Sequence, residues 1–121
     1  MRRTLSLVVV FALVLTACGG DDTGGQDPEA VARGIVLYEG NCQVCHGPEG
    51  IGVEGLGKPW VDSSFINART DQEMLDFIIE GRTSDHPENT TGIAMMPRAG
   101  NPNLSDEQIL DLVAYMRTLN P

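Results

Sequence analysis

With 121 residues, the chain has room for one compact domain and not for a second. Seventeen acidic residues against eight basic ones give a formal charge of −9. That excludes a nucleic-acid-binding surface, which needs clustered Lys and Arg, and suits a partner with a basic surface. Three cysteines, Cys18, Cys42 and Cys45, cannot all pair within one monomer, so at least one needs another explanation.

Arg2 and Arg3 precede an apolar run from Leu5 to Leu15 that is broken only by Ser6. These are the charged and apolar regions of an export signal, and the run is too short to span a bilayer. A buried core helix is the competing account, and the polar stretch that follows at once argues against it. The run ends in Leu15-Thr16-Ala17-Cys18, which resembles the lipobox of bacterial lipoproteins. The resemblance implies a signal peptide over residues 1–17 and acylation of Cys18 as the first mature residue. Residues 18–26 then form the lipidated cysteine and a tether, Gly-Gly-Asp-Asp-Thr-Gly-Gly-Gln, with nothing to bury. Such a tether reaches at most about 29 Å. Losing Arg2 and Arg3 while keeping every acid moves the formal charge from −9 to −11, so anionic lipid would repel the domain. The expected location is a membrane-anchored lipoprotein facing the periplasm or the cell exterior.

The domain itself is expected over residues 27–121. Asp27 as N-cap and Pro28 at the first helical position start a helix that places Val31, Ile35 and Tyr38 on one face. Gly34 within it costs about 1 kcal/mol relative to Ala, which close approach of another helix would offset. Next comes Cys42-Gln43-Val44-Cys45-His46, the C-x-x-C-H pattern of haem attachment. On one helical turn two thiols can bond the vinyl groups while the imidazole ligates iron. A zinc site would draw on Cys42, Cys45 and the distant His86, and reaches four ligands only with a strained His46. A redox dithiol needs a βαβ context that is not visible, and a structural disulfide leaves the histidine without a task.

Gly47 to Gly57 is too rich in glycine for regular structure. Thr70 and Glu73 then form a capping box before Met74, Leu75, Ile78 and Ile79, with Gly81 as the stop. Ser105 and Gln108 form a second box, Leu104 and Ile109 can staple it, and Ile109, Leu112, Val113 and Met116 make one apolar stripe that Tyr115 and Leu119 extend. No segment alternates over strand length, so the fold class is all-α, with three to five helices and long loops. Loops of that length suit a cofactor that supplies much of the core.

Gly34, Tyr38, the run from Cys42 to Gly47, the Met96-Pro97 pair and the closing helix, in that order, resemble a class I cytochrome c over about residues 28–120. The resemblance implies that fold, with the first and last helices crossing at Gly34. It also implies one covalent haem c on Cys42 and Cys45, with His46 on the iron. In similar cytochromes the second axial methionine immediately precedes a proline, which selects Met96 over Met95; His86 is the other candidate. Pro59 lies where related cytochromes offer a proline carbonyl to the proximal histidine. Trp60 and Arg82 can serve the propionates through an indole N–H and a guanidinium. The alternatives are ring packing for Trp60 and a helix-end position for Arg82. A thioether raises the potential whereas a second imidazole lowers it. With both axial positions filled, the expectation is an electron carrier, not an enzyme, with no small-molecule substrate. It would serve membrane respiratory or photosynthetic complexes, or be a haem subunit of one, docking on a basic surface of its redox partner. A haem-based sensor or enzyme with an opened sixth site, and a metal-binding lipoprotein, are the competing functions.

Overall fold

The computed structural model describes residues 26–121; the expected signal peptide, Cys18 and all but the last residue of the tether lie outside the described residues. Five α-helices follow in order: α1 Pro28–Asn41, α2 Gln43–His46, α3 Ser64–Asn67, α4 Asp71–Glu80 and α5 Asp106–Thr118. Single 3-10 turns occupy Pro48–Gly50 and Pro97–Gly100. Among the described residues there is no strand, only two isolated antiparallel bridges, Val53 with Gly57 and Arg82 with Met95. None of these helices is long and apolar enough to cross a membrane.

The helix starts follow their caps. The Asp27 carboxylate accepts from the Glu29 N–H at 3.1 Å, ahead of Pro28. Thr70 with Glu73, and Ser105 with Gln108, close reciprocal capping boxes, so each helix enters with its first N–H groups satisfied. Leu104 and Ile109 are both buried at the start of α5, as the staple requires. Helix α3 has no counterpart among the expected elements. Ser63 caps it by accepting from the Ile66 N–H at 3.3 Å, and four residues are too few to leave a periodic signal.

Helices α1 and α5 cross at Gly34. A Cβ there would stand 2.1 Å from the Asp111 carbonyl oxygen and 3.0 Å from Tyr115 Cβ, so only glycine lets the two backbones meet. The contact face of α1 consequently centres on Gly34 and Tyr38, with Val31 and Leu37 partly buried beside them. Ile35, expected on that face, is instead exposed because it lies one position round from the glycine at the crossing. Arg33 clasps the crossing from outside, its Nε and Nη2 donating to the two Asp111 carboxylate oxygens at 2.8 and 2.9 Å.

Behind the crossing, Ile109, Leu112, Val113 and Met116 of α5 pack with Met74, Leu75 and Ile78 of α4 and with Tyr38 and Trp60. Arg117 fastens the end of α5 to its neighbours. It pairs with Asp71 at 2.8 Å and donates to the carbonyls of Ile66 and Arg69 at 2.8 and 2.6 Å. Replacing Gly34 with Ala forces the crossing apart and should lower the unfolding free energy by about 2–3 kcal/mol, read as a shift in the urea midpoint; an unchanged midpoint would contradict the close contact.

Candidate functional site

The end of α1 delivers the Cys42–His46 turn. Cys42 closes α1 by donating its N–H to the Tyr38 carbonyl at 2.8 Å, and its own carbonyl then accepts from the N–H groups of Cys45 and His46 at 3.1 and 2.9 Å. One tight turn thus presents both thiols and the imidazole. Tyr38 locks it from behind, its hydroxyl donating to the Gly47 carbonyl at 2.5 Å. Burial pushes the Cys42 thiol up to about 12, with Cys45 adding to the shift. A thiol this reluctant to ionise is the opposite of the low-pKa nucleophile a redox dithiol requires.

His46 is oriented by a backbone carbonyl. Its Nδ1 lies 2.7 Å from the Lys58 oxygen, and a carbonyl can only accept, so Nδ1 carries the proton and Nε2 keeps a free lone pair. Burial holds the imidazole below its usual pKa, partly offset by this hydrogen bond, so the ring is neutral and ready to ligate. The carbonyl therefore comes from Lys58 and not, as expected, from Pro59. The proline still matters, because its ring restricts the preceding Lys58 to extended backbone and so fixes the direction of that carbonyl.

These groups face a cavity of about 550 Å³. The Cys42, Cys45 and His46 side of its lining is joined by Pro59 and Trp60, by Met74, Phe77 and Ile78 from α4, and by Met95 and Met96 from the segment before α5. Trp60 is buried edge-to-face against Tyr38, with ring centroids 4.6 Å apart, and sits 5.4 Å from the His46 ring. Its segment is held by Asn120, which donates to the carbonyls of Trp60 and Met116 at 2.8 and 2.7 Å and accepts from the Ser63 N–H at 2.6 Å. Among the described residues no buried side-chain polar atom lacks a partner.

Arg82 also lines the cavity, but its guanidinium is engaged: it lies 5.0 and 4.9 Å from the rings of Phe65 and Phe77 and pairs with Glu88 at 3.1 Å. Its backbone exchanges two 2.8 Å hydrogen bonds with Met95. Gly81, at φ +73°, makes room for this pairing, since a Cβ there would stand 2.4 Å from the Met95 oxygen. Met95 is half-buried and Met96 is 59% exposed, and both border the cavity. His86 does not border it; its Nδ1 accepts from the Glu88 N–H at 3.1 Å within its own turn. Among the described residues no three His, Cys, Asp or Glu side chains converge to hold a metal ion, so the zinc alternative has no geometry behind it.

A family model described as Cytochrome c matches residues 31–120. The chain belongs to the cytochrome c family. It is 33% identical over 89 residues to the cytochrome c-555 of Prosthecochloris aestuarii, covering 71% of this chain and 84% of the relative. It is 28% identical over 97 residues to the cytochrome c-551 of Bacillus subtilis (strain 168), covering 72% and 82% respectively. No solved structure matches it significantly. The fold is thus the all-α cytochrome c fold, the cofactor is one covalently bound haem c, and the activity is haem-based electron transfer.

The cavity fits that haem. Its lining combines two thiols on one turn, a neutral imidazole with a free Nε2, the thioethers of Met74, Met95, Met96 and Met116 and apolar side chains, a soft N and S donor set suited to haem iron. Lys58 and Asn120 were not anticipated among the residues that shape it. One acts through its backbone and the other is a lone amide beyond a helix end, and neither leaves a pattern in the sequence. Replacing Asn120 with Ala strands the Ser63 N–H and frees the Trp60 segment. Urea unfolding should show a loss of about 2–4 kcal/mol, and a loss below about 0.5 kcal/mol would contradict the role given to this amide.

Proposed function

We propose that this cytochrome is a tethered one-electron carrier, with Cys42 and Cys45 attaching the haem and His46 and Met96 as its two axial ligands. The observation that carries this is the shared cavity, bordered both by the Cys42–His46 turn and by the Met95–Met96 segment. Cys42 and Cys45 would hold the haem as thioethers, each S–H adding across one vinyl C=C so that one carbon takes the sulfur and the other the hydrogen, with no net oxidation. His46 offers Nε2 while Lys58 holds the other ring nitrogen, which orients the ring and raises its donor strength. Met96 is favoured over Met95 because Pro97 follows it and because the Met95 backbone is bound to Arg82. The haem supplies a single iron that changes valence by one electron when bound. With His46 and Met96 both bound, the iron would have no open position for water or a substrate.

Trp60 and Arg82 both border the cavity and are the proposed partners of the propionates, Arg82 by sharing its guanidinium between Glu88 and the cavity. The exposed charge supports a partner with a basic docking surface, because Arg33, Arg82, Arg98 and Arg117 are each already paired with an acid. Acylation of Cys18 and the short tether would hold the carrier outside the cytoplasm, near a membrane complex such as a quinol-oxidising complex or a terminal oxidase.

Two experiments test these assignments. In the haem-loaded protein, Met96→Leu should abolish the weak far-red absorption of a thioether on ferric iron, whereas Met95→Leu should keep it; the reverse pattern would move the ligand to Met95. Protein lacking residues 1–26 should exchange electrons normally with a soluble donor yet support membrane electron transfer at about a tenth of the native rate or less, as loss of tethered concentration requires. Equal rates in membranes would rule out the tether.

A further inference from the structure

We infer that Arg98 is a positioning residue for the sixth ligand, clamping a strained left-handed turn that sets where Met96 stands. This rests on Met96 being the second axial ligand. Immediately after Met96-Pro97 the backbone runs through three left-handed residues in succession: Arg98 at φ 51°, ψ 37°, Ala99 at φ 55°, ψ 26°, and Gly100 at φ 77°. Only the glycine is at ease there; each of the other two costs about 1 kcal/mol or more relative to a right-handed conformation. Such a turn persists only where its surroundings hold it.

The hold comes mainly from the Arg98 side chain. Its Nη1 donates to the Leu104 carbonyl at 2.6 Å and its Nη2 to the Asp106 carboxylate at 2.8 Å. Leu104 is buried and Asp106 is the first residue of α5, so the guanidinium bolts the turn to the rigid start of that helix. Asn101 adds a second attachment, accepting nothing from the turn but donating its N–H to the Arg98 carbonyl at 3.0 Å and its side-chain amide to Asn41 at 2.9 Å, beside Cys42. On the other side, Met95 is fixed by its paired hydrogen bonds to Arg82. Met96-Pro97 is therefore strung between two anchors. Ala99 borders the cavity whereas Arg98 does not, so Arg98 acts through the backbone and not by touching the haem. Without its clamp, relaxation of Arg98 and Ala99 out of the left-handed region displaces Met96 and opens the sixth position.

The test uses the full-length ferric holoprotein with imidazole as an external ligand, following its rate of uptake and the far-red thioether absorption. Arg98→Ala should raise the rate of imidazole uptake about tenfold, in line with the loss of two charge-assisted hydrogen bonds. Adding Ala99→Gly should recover about threefold of that, because glycine adopts this conformation without strain. Arg33→Ala, which breaks an ion pair at the α1–α5 crossing, should leave uptake unchanged and so separates positioning from general loosening. Should Arg98→Ala not fold, Asp106→Ala removes one arm of the clamp and should raise uptake about threefold. Uptake within about twofold of native in the Arg98 or Asp106 variant, or an equal rise in Arg33→Ala, overturns the inference. Met96→Leu distinguishes the two layers. If it retains the far-red absorption, the ligand assignment fails; if it loses it while Arg98→Ala takes up imidazole at the native rate, the positioning role alone fails.

Discussion

The packing of residues 26–121 depends on two helix backbones meeting at Gly34. Because the Asp111 carbonyl occupies the space where a Cβ would sit, the relative placement of α1 and α5 is fixed to within a fraction of a side chain. Both helices then project what the site requires. Helix α1 ends in the turn that carries Cys42, Cys45 and His46, while α5 contributes Met116 to the cavity wall and is followed, just past its end at Thr118, by Asn120, which holds Trp60. Tyr38 and Tyr115 fill the angle between them, edge-on to one another at 5.4 Å, so the crossing and the site share one aromatic cluster.

Around that rigid pair the remaining chain is arranged by a few polar ties, not by repetitive structure. The segment between α2 and α3 is held by the His46–Lys58 hydrogen bond and by Asn120. The segment between α4 and α5 is held by the backbone pairing of Arg82 with Met95 and by the Arg98 clamp. Each tie ends on a helix terminus or next to a residue that borders the cavity. This explains how so small a chain, with limited surface to bury, keeps long irregular segments in place: they close on the cavity whose lining fits the haem of this family.

Much of this was legible from residue pattern. The capping boxes at Thr70 and Ser105 and the proline after Asp27 mark helix starts because they satisfy the same orphan N–H groups in any context. The C-x-x-C-H turn is legible because its chemistry is compressed into five consecutive residues. What escaped depends on tertiary contact. Whether Lys58 or Pro59 offers its carbonyl turns on the path of a glycine-rich loop, and no side chain records it. The exposure of Ile35 follows from which α1 residue faces Asp111, which periodicity alone does not decide. The left-handed run at Arg98 and Ala99 was likewise hidden, since neither residue type announces a positive φ.

We propose that protein side chains close both axial positions of the iron, which would make the site a carrier and not a binding centre. The visible spectrum of the purified holoprotein, reduced under nitrogen and then exposed to carbon monoxide, addresses it most directly. With both positions filled, the expected result is a low-spin haem spectrum that the gas leaves unchanged over minutes. A prompt shift to a carbon monoxide adduct would show an accessible sixth position and contradict it.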